Sequence, residues 1–170
     1  MRHFDIVVEA AKRRGCRTVV EVGSIRADDP NHRLGDGHAT LHWVAHFGQV
    51  YSYDVDPCAT RLTQELAGTR GNLVAQTRDG IDALQGETFA IDLLYLDGWD
   101  VGTDGYQEQH LAAFQAACPR LGERSLVLID DTEFAGHGKA GLVIPYAESV
   151  GWRWREVGKQ ILLWHGVTPL

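Results

Sequence analysis

Leu93-Leu94-Tyr95-Leu96-Asp97-Gly98 is an apolar run that ends in a carboxylate and a glycine. The same pattern recurs at residues 19–23 (VVEVG), 50–56 (VYSYDVD) and 126–131 (LVLIDD). Short, continuous apolar runs of this kind predict buried strands, and parallel strands place ends of one kind along a single edge of the sheet. The sequence therefore predicts a crevice at that edge, into which acidic side chains from four strands converge.

Helical periodicity alternates with strand patterns along the chain. Helices are predicted at 4–14, 39–47, from Pro57, 81–84, 105–118 and 142–150, and strands at 18–22, 50–55, 73–76, 91–96 and 125–129. Two more strands, 152–157 and 160–164, are separated by Gly158-Lys159, a connection typical of an antiparallel hairpin. Alternating strands and helices favour a mostly parallel sheet covered on both faces. The predicted fold is one α/β domain over residues 1–170, a Rossmann-like three-layer structure whose seven-stranded sheet closes with the hairpin.

Composition and charge limit the possible functions. The 170 residues suffice for one domain with a substantial core. A net charge of -7 argues against general nucleic-acid binding, which needs clustered lysine and arginine, but suits a metal or a cationic ligand. Three widely spaced cysteines indicate free thiols in a reducing compartment. With neither a membrane-span pattern nor a signal-peptide pattern in the sequence, we expect a cytoplasmic protein that acts on a small molecule and has no nucleic-acid or membrane partner.

Glycines and hydroxyl residues near the end of the first strand suit a ligand that approaches the backbone closely. Gly23 and Ser24 follow the strand, and Gly35 and Gly37 come after a polar insertion and precede Thr40 at the start of a helix. Glycine leaves room where a side chain would clash, and a helix start offers free N–H groups. A tight turn between a strand and a helix would need glycine for its own reasons, so this pattern has a purely structural alternative.

Carboxylates at the next two strand ends suit a nucleoside. Asp54 ends the second strand, where a carboxylate can bind both ribose hydroxyls. Asp79 follows the third strand and could accept a hydrogen bond from an adenine amino group. The alternatives are a solvated strand end beside a helix cap at Asp56, and an N-cap role for Asp79, which could serve both purposes.

Asp97, Asp130 and Asp131 follow two strands that are expected to be neighbours. Three carboxylates at one rim repel one another, and burying them without a counter-charge raises their pKa values and costs stability. Mg²⁺, which prefers oxygen ligands, would resolve this conflict. Asp130 and Asp131 can share one ion only if their strand ends there, because successive strand residues face opposite sides. The alternative is that these aspartates cap helices or turns.

These motifs together resemble those of class I S-adenosylmethionine-dependent methyltransferases. The resemblance is carried by residues 21–23 (EVG), 53–57 (YDVDP) and 77–80 (TRDG), and it extends over nearly the whole chain, including the hairpin. It implies S-adenosylmethionine as cofactor, with Gly23, Gly35 and Gly37 along its methionine part, Asp54 at the ribose and Asp79 near the adenine. The remaining residues of the implied cofactor site are Glu21, Ser24, Thr40 and Asp97. The insertion at 25–33 departs from the usual tighter loop and is expected to form part of a lid or a substrate wall.

A narrower resemblance is to the divalent-metal O-methyltransferases, both the catechol type and the bacterial enzymes that methylate sugar hydroxyls of antibiotics. It implies metal ligands at Asp97, Asp130 and Asp131. In the catechol type the third ligand is an amide, so Asp131 matches the sugar-modifying group better. The catechol type has a lysine as general base where this chain has Asp100. The candidate catalytic residues are therefore Asp100 and His137, with His110 and Lys139 as alternatives.

The function expected from the sequence is Mg²⁺-assisted methyl transfer from S-adenosylmethionine to a small-molecule hydroxyl. Two alternatives remain open. The cephalosporin-hydroxylase-like branch also resembles the chain around Asp97 and the Asp130-Asp131 pair, and a non-catalytic nucleotide-binding subunit completed by a partner chain fits the short length. The hairpin tryptophans, Trp152, Trp154 and Trp164, are expected in the core, with a homodimer surface as the alternative.

Overall fold

The computed structural model describes residues 3–27 and 38–169, apart from the side chain of His3. The helices are α1 (His3–Arg13), α2 (Ala39–His46), α3 (Pro57–Ala67), α4 (Gly80–Gly86), α5 (Tyr106–Ala117) and α6 (Val143–Ser149). The strands are β1 (Thr18–Val22), β2 (Gln49–Asp54), β3 (Leu73–Thr77), β4 (Ile91–Leu96), β5 (Leu121–Ile129), β6 (Arg153–Val157) and β7 (Gln160–Trp164). Two short 3₁₀ segments, Cys118–Arg120 and Ala135–Ala140, complete the described elements.

The seven strands form one sheet in the order β3-β2-β1-β4-β5-β7-β6. β1 to β5 are parallel, and β7 runs antiparallel to both β5 and β6. This confirms the predicted fold class, including the closing hairpin. The chain builds outward from β1 to β3 and then returns to β4 on the other side of β1. That reversal opens a crevice at the carboxyl ends of β1 and β4, where α/β sheets of this kind bind ligands.

Helices cover both faces of the sheet and form two separate apolar cores. Because successive strand residues face opposite sides, Leu94 and Leu96 pack on one face with α4, α5 and α6, whereas Leu93 and Tyr95 pack on the other with α1 and α2. All six residues of β4 are buried. β4 is therefore the central strand of the fold, and the residues that follow it are held firmly in place. No helix within the two described ranges is long and apolar enough to cross a membrane.

The ends of the elements follow local sequence signals. Asp56 caps α3 by accepting a hydrogen bond from the Cys58 backbone N–H at 2.8 Å, and Pro57 occupies the first helical position. β5 begins at Leu121, four residues before the predicted start, although its next three residues are exposed. That early portion has no apolar pattern, so the sequence does not reveal it.

The hairpin tryptophans are largely core residues. Trp152 and Trp164 are buried, and the ring of Trp152 meets Phe114 edge-on with centroids 5.5 Å apart. Trp154 is half-buried and donates a hydrogen bond from Nε1 to Glu148 at 2.8 Å. The core prediction is thus confirmed for Trp152 and Trp164, and the homodimer stays a prediction.

Substitution of Gly23 tests how closely the backbones after β1 and β4 approach each other at the crevice. Gly23 has a φ of 96°, and a Cβ added there would lie 2.7 Å from the carbonyl oxygen of Asp97. Gly23→Ala should therefore lower the free energy of unfolding by about 2–4 kcal/mol, measured by urea denaturation, because backbone strain and overpacking add. Gly71→Ala is the matched control, since a Cβ there has nothing within 4 Å. Equal stability of the two variants would contradict this close approach.

Candidate active site

A cavity of about 490 Å³ opens at the carboxyl edge, between the ends of β1, β2 and β4 and the turn after β3. The predicted site residues that line it are Gly23, Asp54, Asp79, Asp97 and Asp100. Further lining residues include Arg26, Tyr53, Gly80, Gly98 and Trp99. The cavity is where the sequence predicts a nucleoside-bearing cofactor, and the carboxylates give it a strongly acidic wall.

Asp54 joins the end of β2 to the loop after β1. Its Oδ2 accepts a hydrogen bond from the Ser24 backbone N–H at 2.8 Å, and its Oδ1 accepts one from the Asp56 backbone N–H at 2.9 Å. A carboxylate has about four acceptor sites. Asp54 is therefore fixed in orientation and keeps capacity to accept hydrogen bonds from two hydroxyls of a ligand.

Asp79 has the N-cap role considered from the sequence, and its contact with an adenine amino group stays a prediction. Its Oδ1 caps α4 by accepting hydrogen bonds from the backbone N–H groups of Ile81 and Asp82, at 2.9 and 3.0 Å, and the residue also lines the cavity.

Gly80, which follows Asp79, lines the cavity too and is not among the site residues predicted from the sequence. A Cβ at Gly80 would lie 2.3 Å from Cγ1 of Val22, so glycine lets α4 begin directly against β1. The sequence evidence for Gly80 as a site residue is its place as the glycine of the 77–80 motif.

Three predicted cofactor residues lie behind the cavity wall. The carboxylate of Glu21 accepts hydrogen bonds from the hydroxyls of Thr40 and Ser52, and the Ser24 hydroxyl lies 3.0 Å from that of Ser52. Glu21 is 1% exposed. Desolvation raises the pKa of Glu21 to about 8, although the hydrogen bonds from Ser52 and Thr40 oppose this. Glu21, Ser24 and Thr40 therefore support the wall in this structure, and their contact with a cofactor stays a prediction.

Gly35 and Gly37 lie outside the described residues. The predicted lid or substrate wall at 25–33 falls mostly there too, and only its first three residues are described.

The sheet ladder brings Asp97 and Asp130 side by side. Leu96 pairs with Ile129 in the register of β4 and β5. One residue further on, the backbone N–H of Asp97 donates to the Val22 carbonyl at 2.9 Å and that of Asp130 donates to the Leu96 carbonyl at 3.1 Å. β5 ends at Ile129, as sharing of a ligand by Asp130 and Asp131 requires.

A lysine lies between two of these carboxylates. The ammonium of Lys139 is 2.8 Å from Oδ1 of Asp97 and 2.8 Å from Oδ2 of Asp131, and its side chain is 0% exposed. Lys159, from the hairpin turn, lies 3.5 Å from Oδ1 of Asp131 and 3.6 Å from Oδ1 of Asp130. We refer to these five residues as the carboxylate–lysine cluster.

Asp130 accepts hydrogen bonds from groups other than the two lysines. Its Oδ2 accepts hydrogen bonds from the Tyr95 hydroxyl and, at 3.1 Å, from Nε2 of Gln160. Its Oδ1 accepts one from the backbone N–H of Asp131 at 2.8 Å. Oδ2 of Asp97 lies 3.3 Å from the Tyr95 hydroxyl. Five of the six carboxylate oxygens of the cluster thus face a donor of their own, and Oδ2 of Asp97 shares the single Tyr95 hydroxyl hydrogen with Asp130.

The carboxylate–lysine cluster does not fit the predicted divalent ion. Within residues 3–27 and 38–169, no group of three His, Cys, Asp or Glu side chains is arranged to hold a metal. The position between Asp97 and Asp131 is filled by an ammonium group, and Asp130 is turned toward Tyr95 and Gln160. The sequence correctly indicates a crowding of negative charge, but the structure compensates it with lysine instead of the expected Mg²⁺.

Burial and ion pairing have opposite effects on the pKa values of the residues in the cluster. Desolvation acts to lower the pKa of Lys139, but Asp97 and Asp131 together raise it, so the ammonium stays charged. Desolvation acts to raise the pKa of Asp131, but the hydrogen bonds and charges of Lys139 and Lys159 hold it below its ordinary value. Burial raises the pKa of Asp97 despite its pairing with Lys139.

The loops that carry these groups are strained. Trp99, Asp131 and His137 adopt positive φ values of 42°, 50° and 63° although they have side chains. Such conformations cost about 1–3 kcal/mol each and persist where the surroundings enforce them. A Cβ at Gly138 would lie 2.1 Å from the carbonyl oxygen of Asp131, so only glycine allows the chain to turn back and direct Lys139 inward.

The candidate bases are not brought together. Asp100 is paired with both guanidinium nitrogens of Arg26, each at 2.8 Å, and the hydrogen bond from Arg26 lowers the pKa of Asp100. A carboxylate with a lowered pKa is a weak base. His137 packs against the ring of Trp154, with centroids 5.3 Å apart, and lines a separate pocket beside Thr132. Asp100 and His137, which the sequence offers as alternative bases, therefore lie in different pockets, and a catalytic role for either stays a prediction.

His110 is a core residue. Its Nδ1 lies 2.6 Å from the Tyr106 carbonyl oxygen, and its ring meets that of Trp99 at 5.2 Å. Burial lowers the pKa of His110 to about 4. His110 is thus neutral near pH 7 and supports the strained loop at Trp99.

No protein-family model matches the chain, and no curated protein matches it by sequence. Solved structures do match. SMU.1697c from Streptococcus mutans, in complex with S-adenosylhomocysteine, matches with a TM-score of 0.67 and 11% identity over 96% of this chain and 97% of its own. An rRNA methylase from Streptococcus thermophilus matches with a TM-score of 0.63 and 11% identity over 97% of each chain.

A third match is MycE, a methyltransferase of the mycinamycin biosynthetic pathway solved with Mg, S-adenosylhomocysteine and mycinamycin VI. It has a TM-score of 0.65 and 15% identity over 96% of this chain and 48% of its own. The chain therefore has the fold of the class I S-adenosylmethionine-dependent methyltransferases, as its motifs imply.

The raised pKa of Glu21 predicts how the stability of the protein depends on pH. Between its ordinary pKa of 4.5 and about 8, the folded protein keeps a proton on Glu21 that the unfolded chain has released. The free energy of unfolding should therefore fall as the pH rises through this window. In Glu21→Gln this contribution should be absent, so the variant should gain stability relative to the wild type at about pH 8 but not below about pH 4.5.

Urea denaturation at both pH values measures this difference. Glu65→Gln, at an exposed position in α3, is the matched control and should track the wild type. If Glu21→Gln and Glu65→Gln respond to pH alike, Glu21 does not titrate as its burial indicates.

Proposed function

We propose that the protein is an S-adenosylmethionine-dependent methyltransferase that acts on an oxygen atom of a small-molecule acceptor. The observation that carries this proposal is the cavity at the β1–β4 crevice, with Asp54 and Asp79 on its wall. The class I methyltransferase fold and the 21–23, 53–57 and 77–80 motifs support the same cofactor. Asp54 would bind the ribose hydroxyls, and Asp79 would accept a hydrogen bond from the adenine amino group.

The charge of the cavity suits this cofactor. Gly80 and Gly98 let the cavity wall pack closely against Val22. The acidic lining, with Arg26 as its cationic member among the described lining residues, favours a ligand that carries positive charge. S-adenosylmethionine would supply an electrophilic methyl group on a positively charged sulfur.

The protein would promote transfer mainly by positioning the two reactants. Holding the acceptor atom in line with the reactive methyl group converts a bimolecular step into one within a complex. Asp97 and Trp99 lie at the cavity rim on the loop after the central strand, and the buried cluster behind Asp97 holds that carboxylate rigidly. Because Asp97, Asp130 and Asp131 do not fit a divalent ion, no step of this proposal uses one.

The choice of an oxygen acceptor rests on motif resemblance. The 96–100 (LDGWD) and 129–132 (IDDT) segments are similar to those of O-methyltransferases that modify antibiotic sugars. MycE, whose fold this chain shares, was solved with mycinamycin VI. The net charge of -7 disfavours RNA as the acceptor, although an rRNA methylase is also among the structural matches.

Asp79→Asn tests the cofactor site. Asparagine is an equally good N-cap, so α4 should keep its start and the melting temperature should change little. The adenine amino group would lose a charged acceptor, which is worth about 1.5–3 kcal/mol. We therefore expect the dissociation constant for S-adenosylmethionine, measured by isothermal titration calorimetry, to rise about tenfold or more.

Asp82→Asn is the matched control, since it removes a carboxylate from the exposed side of the same helix. The control should bind as the wild type does. If the wild-type protein shows no heat of binding with either S-adenosylmethionine or S-adenosylhomocysteine, the proposed function is wrong. Binding without methyl transfer to any hydroxyl-bearing acceptor would instead favour the non-catalytic nucleotide-binding subunit.

A further inference from the structure

We infer that Lys139 is the resident cation of the carboxylate–lysine cluster. Its ammonium occupies the position between the carboxylates at the ends of β4 and β5 where a divalent ion would bind, so the site is organised without metal. The catalytic consequence is that methyl transfer needs no added Mg²⁺, and this consequence alone rests on the proposed function. The occupancy of the site itself can be measured without any turnover.

The ammonium group of Lys139 is fully satisfied by oxygen atoms. A lysine ammonium has three N–H donors. Two carboxylate oxygens, from Asp97 and Asp131, lie at 2.8 Å, and the Asp97 carbonyl oxygen lies at 3.4 Å. A buried charge that lacks its partners is strongly destabilising. Displacing this ammonium with a metal ion would leave it without those three acceptors.

The backbone around Lys139 fixes the side chain in this position. Gly138, Lys139 and Ala140 are all buried, and Nε2 of Gln107 on α5 donates a hydrogen bond to the Gly138 carbonyl at 2.8 Å. The Lys139 backbone N–H also donates to the Asp131 carbonyl at 3.3 Å. Lys139 therefore cannot withdraw to solvent unless the turn over Ala135–Ala140 comes apart.

Lys139 and a divalent ion would compete for the same carboxylate oxygens of Asp97 and Asp131. Three carboxylates and two ammonium groups leave the cluster with one negative charge when all are ionised. A metal ion added beside the two lysines would have to take its ligands from carboxylate oxygens that already pair with Lys139, Lys159 or hydrogen-bond donors. Without Lys139, by contrast, Asp97 and Asp131 would be two close carboxylates that lack their shared counter-charge, which is a setting that attracts a hard cation.

Mn²⁺ binding measured by electron paramagnetic resonance tests this inference, because bound Mn²⁺ loses the sharp signal of the free ion. Wild-type protein at millimolar Mn²⁺ should leave the free-ion signal at its buffer intensity. Lys139→Ala should bind Mn²⁺ at least ~10-fold more tightly than the wild type, since the vacated position is flanked by two carboxylates. Lys159→Ala is the matched control and should not gain affinity, because Lys139 stays in place.

The loss of a buried charge could prevent folding, so thermal melting provides a second measurement. Lys139→Ala should have a lower melting temperature than the wild type, and Mn²⁺ should restore it. The double variant Lys139→Ala/Asp131→Asn removes one charge of each sign and should melt higher than Lys139→Ala in the absence of metal.

Three outcomes would overturn the inference. The first is wild-type protein that binds Mn²⁺ as tightly as Lys139→Ala. The second is Lys139→Ala that neither binds Mn²⁺ nor is stabilised by it. The third is a double variant no more stable than the single one. Failure to bind S-adenosylmethionine would instead overturn the proposed function and leave these results unchanged.

Discussion

The parallel sheet forces carboxylates together at one edge, and the site is organised by how each negative charge is compensated. Glu21 is buried with a raised pKa and bonded by two hydroxyls, Asp54 accepts from two backbone amides, and Asp100 pairs with Arg26. Asp97 and Asp131 share the ammonium of Lys139. Acidic groups on and behind the cavity wall are thus kept in fixed orientations before any ligand arrives, which is the preorganisation that positioning catalysis requires.

Most of the architecture could be predicted from local sequence patterns. β1 and β4 match their predicted bounds, and Pro57 and Asp56 start α3 as expected, because continuous apolar runs and capping residues are strong local signals. The sequence does not reveal the early part of β5, because residues 122–124 are exposed and long-range hydrogen bonds from Arg14 to the carbonyls of Glu123 and Arg124 help to hold them. The convergence of Asp54, Asp79 and Asp97 followed from topology alone, since strand ends of one kind must share an edge.

The detailed chemistry of the site could not be predicted in the same way. Lys139 lies 42 residues from Asp97 along the chain, and nothing in its local sequence says that its side chain is buried. The clue is Gly138, whose backbone conformation only becomes meaningful once Asp131 is seen to fill the space of its missing side chain. Likewise, Arg26 lies in the insertion at 25–33, and its pairing with Asp100 depends on tertiary structure. Long-range ion pairs of this kind have no periodicity to detect.

The cations of the cluster are side chains of the protein, so their number per molecule is fixed. Lys139 and Lys159 supply two such charges in every molecule, whatever the ion concentration around it, and a chelator removes neither. Loss of the Lys139 side chain would leave Asp97 and Asp131 without their shared counter-charge, and their ionisation would then depend on cations from solution.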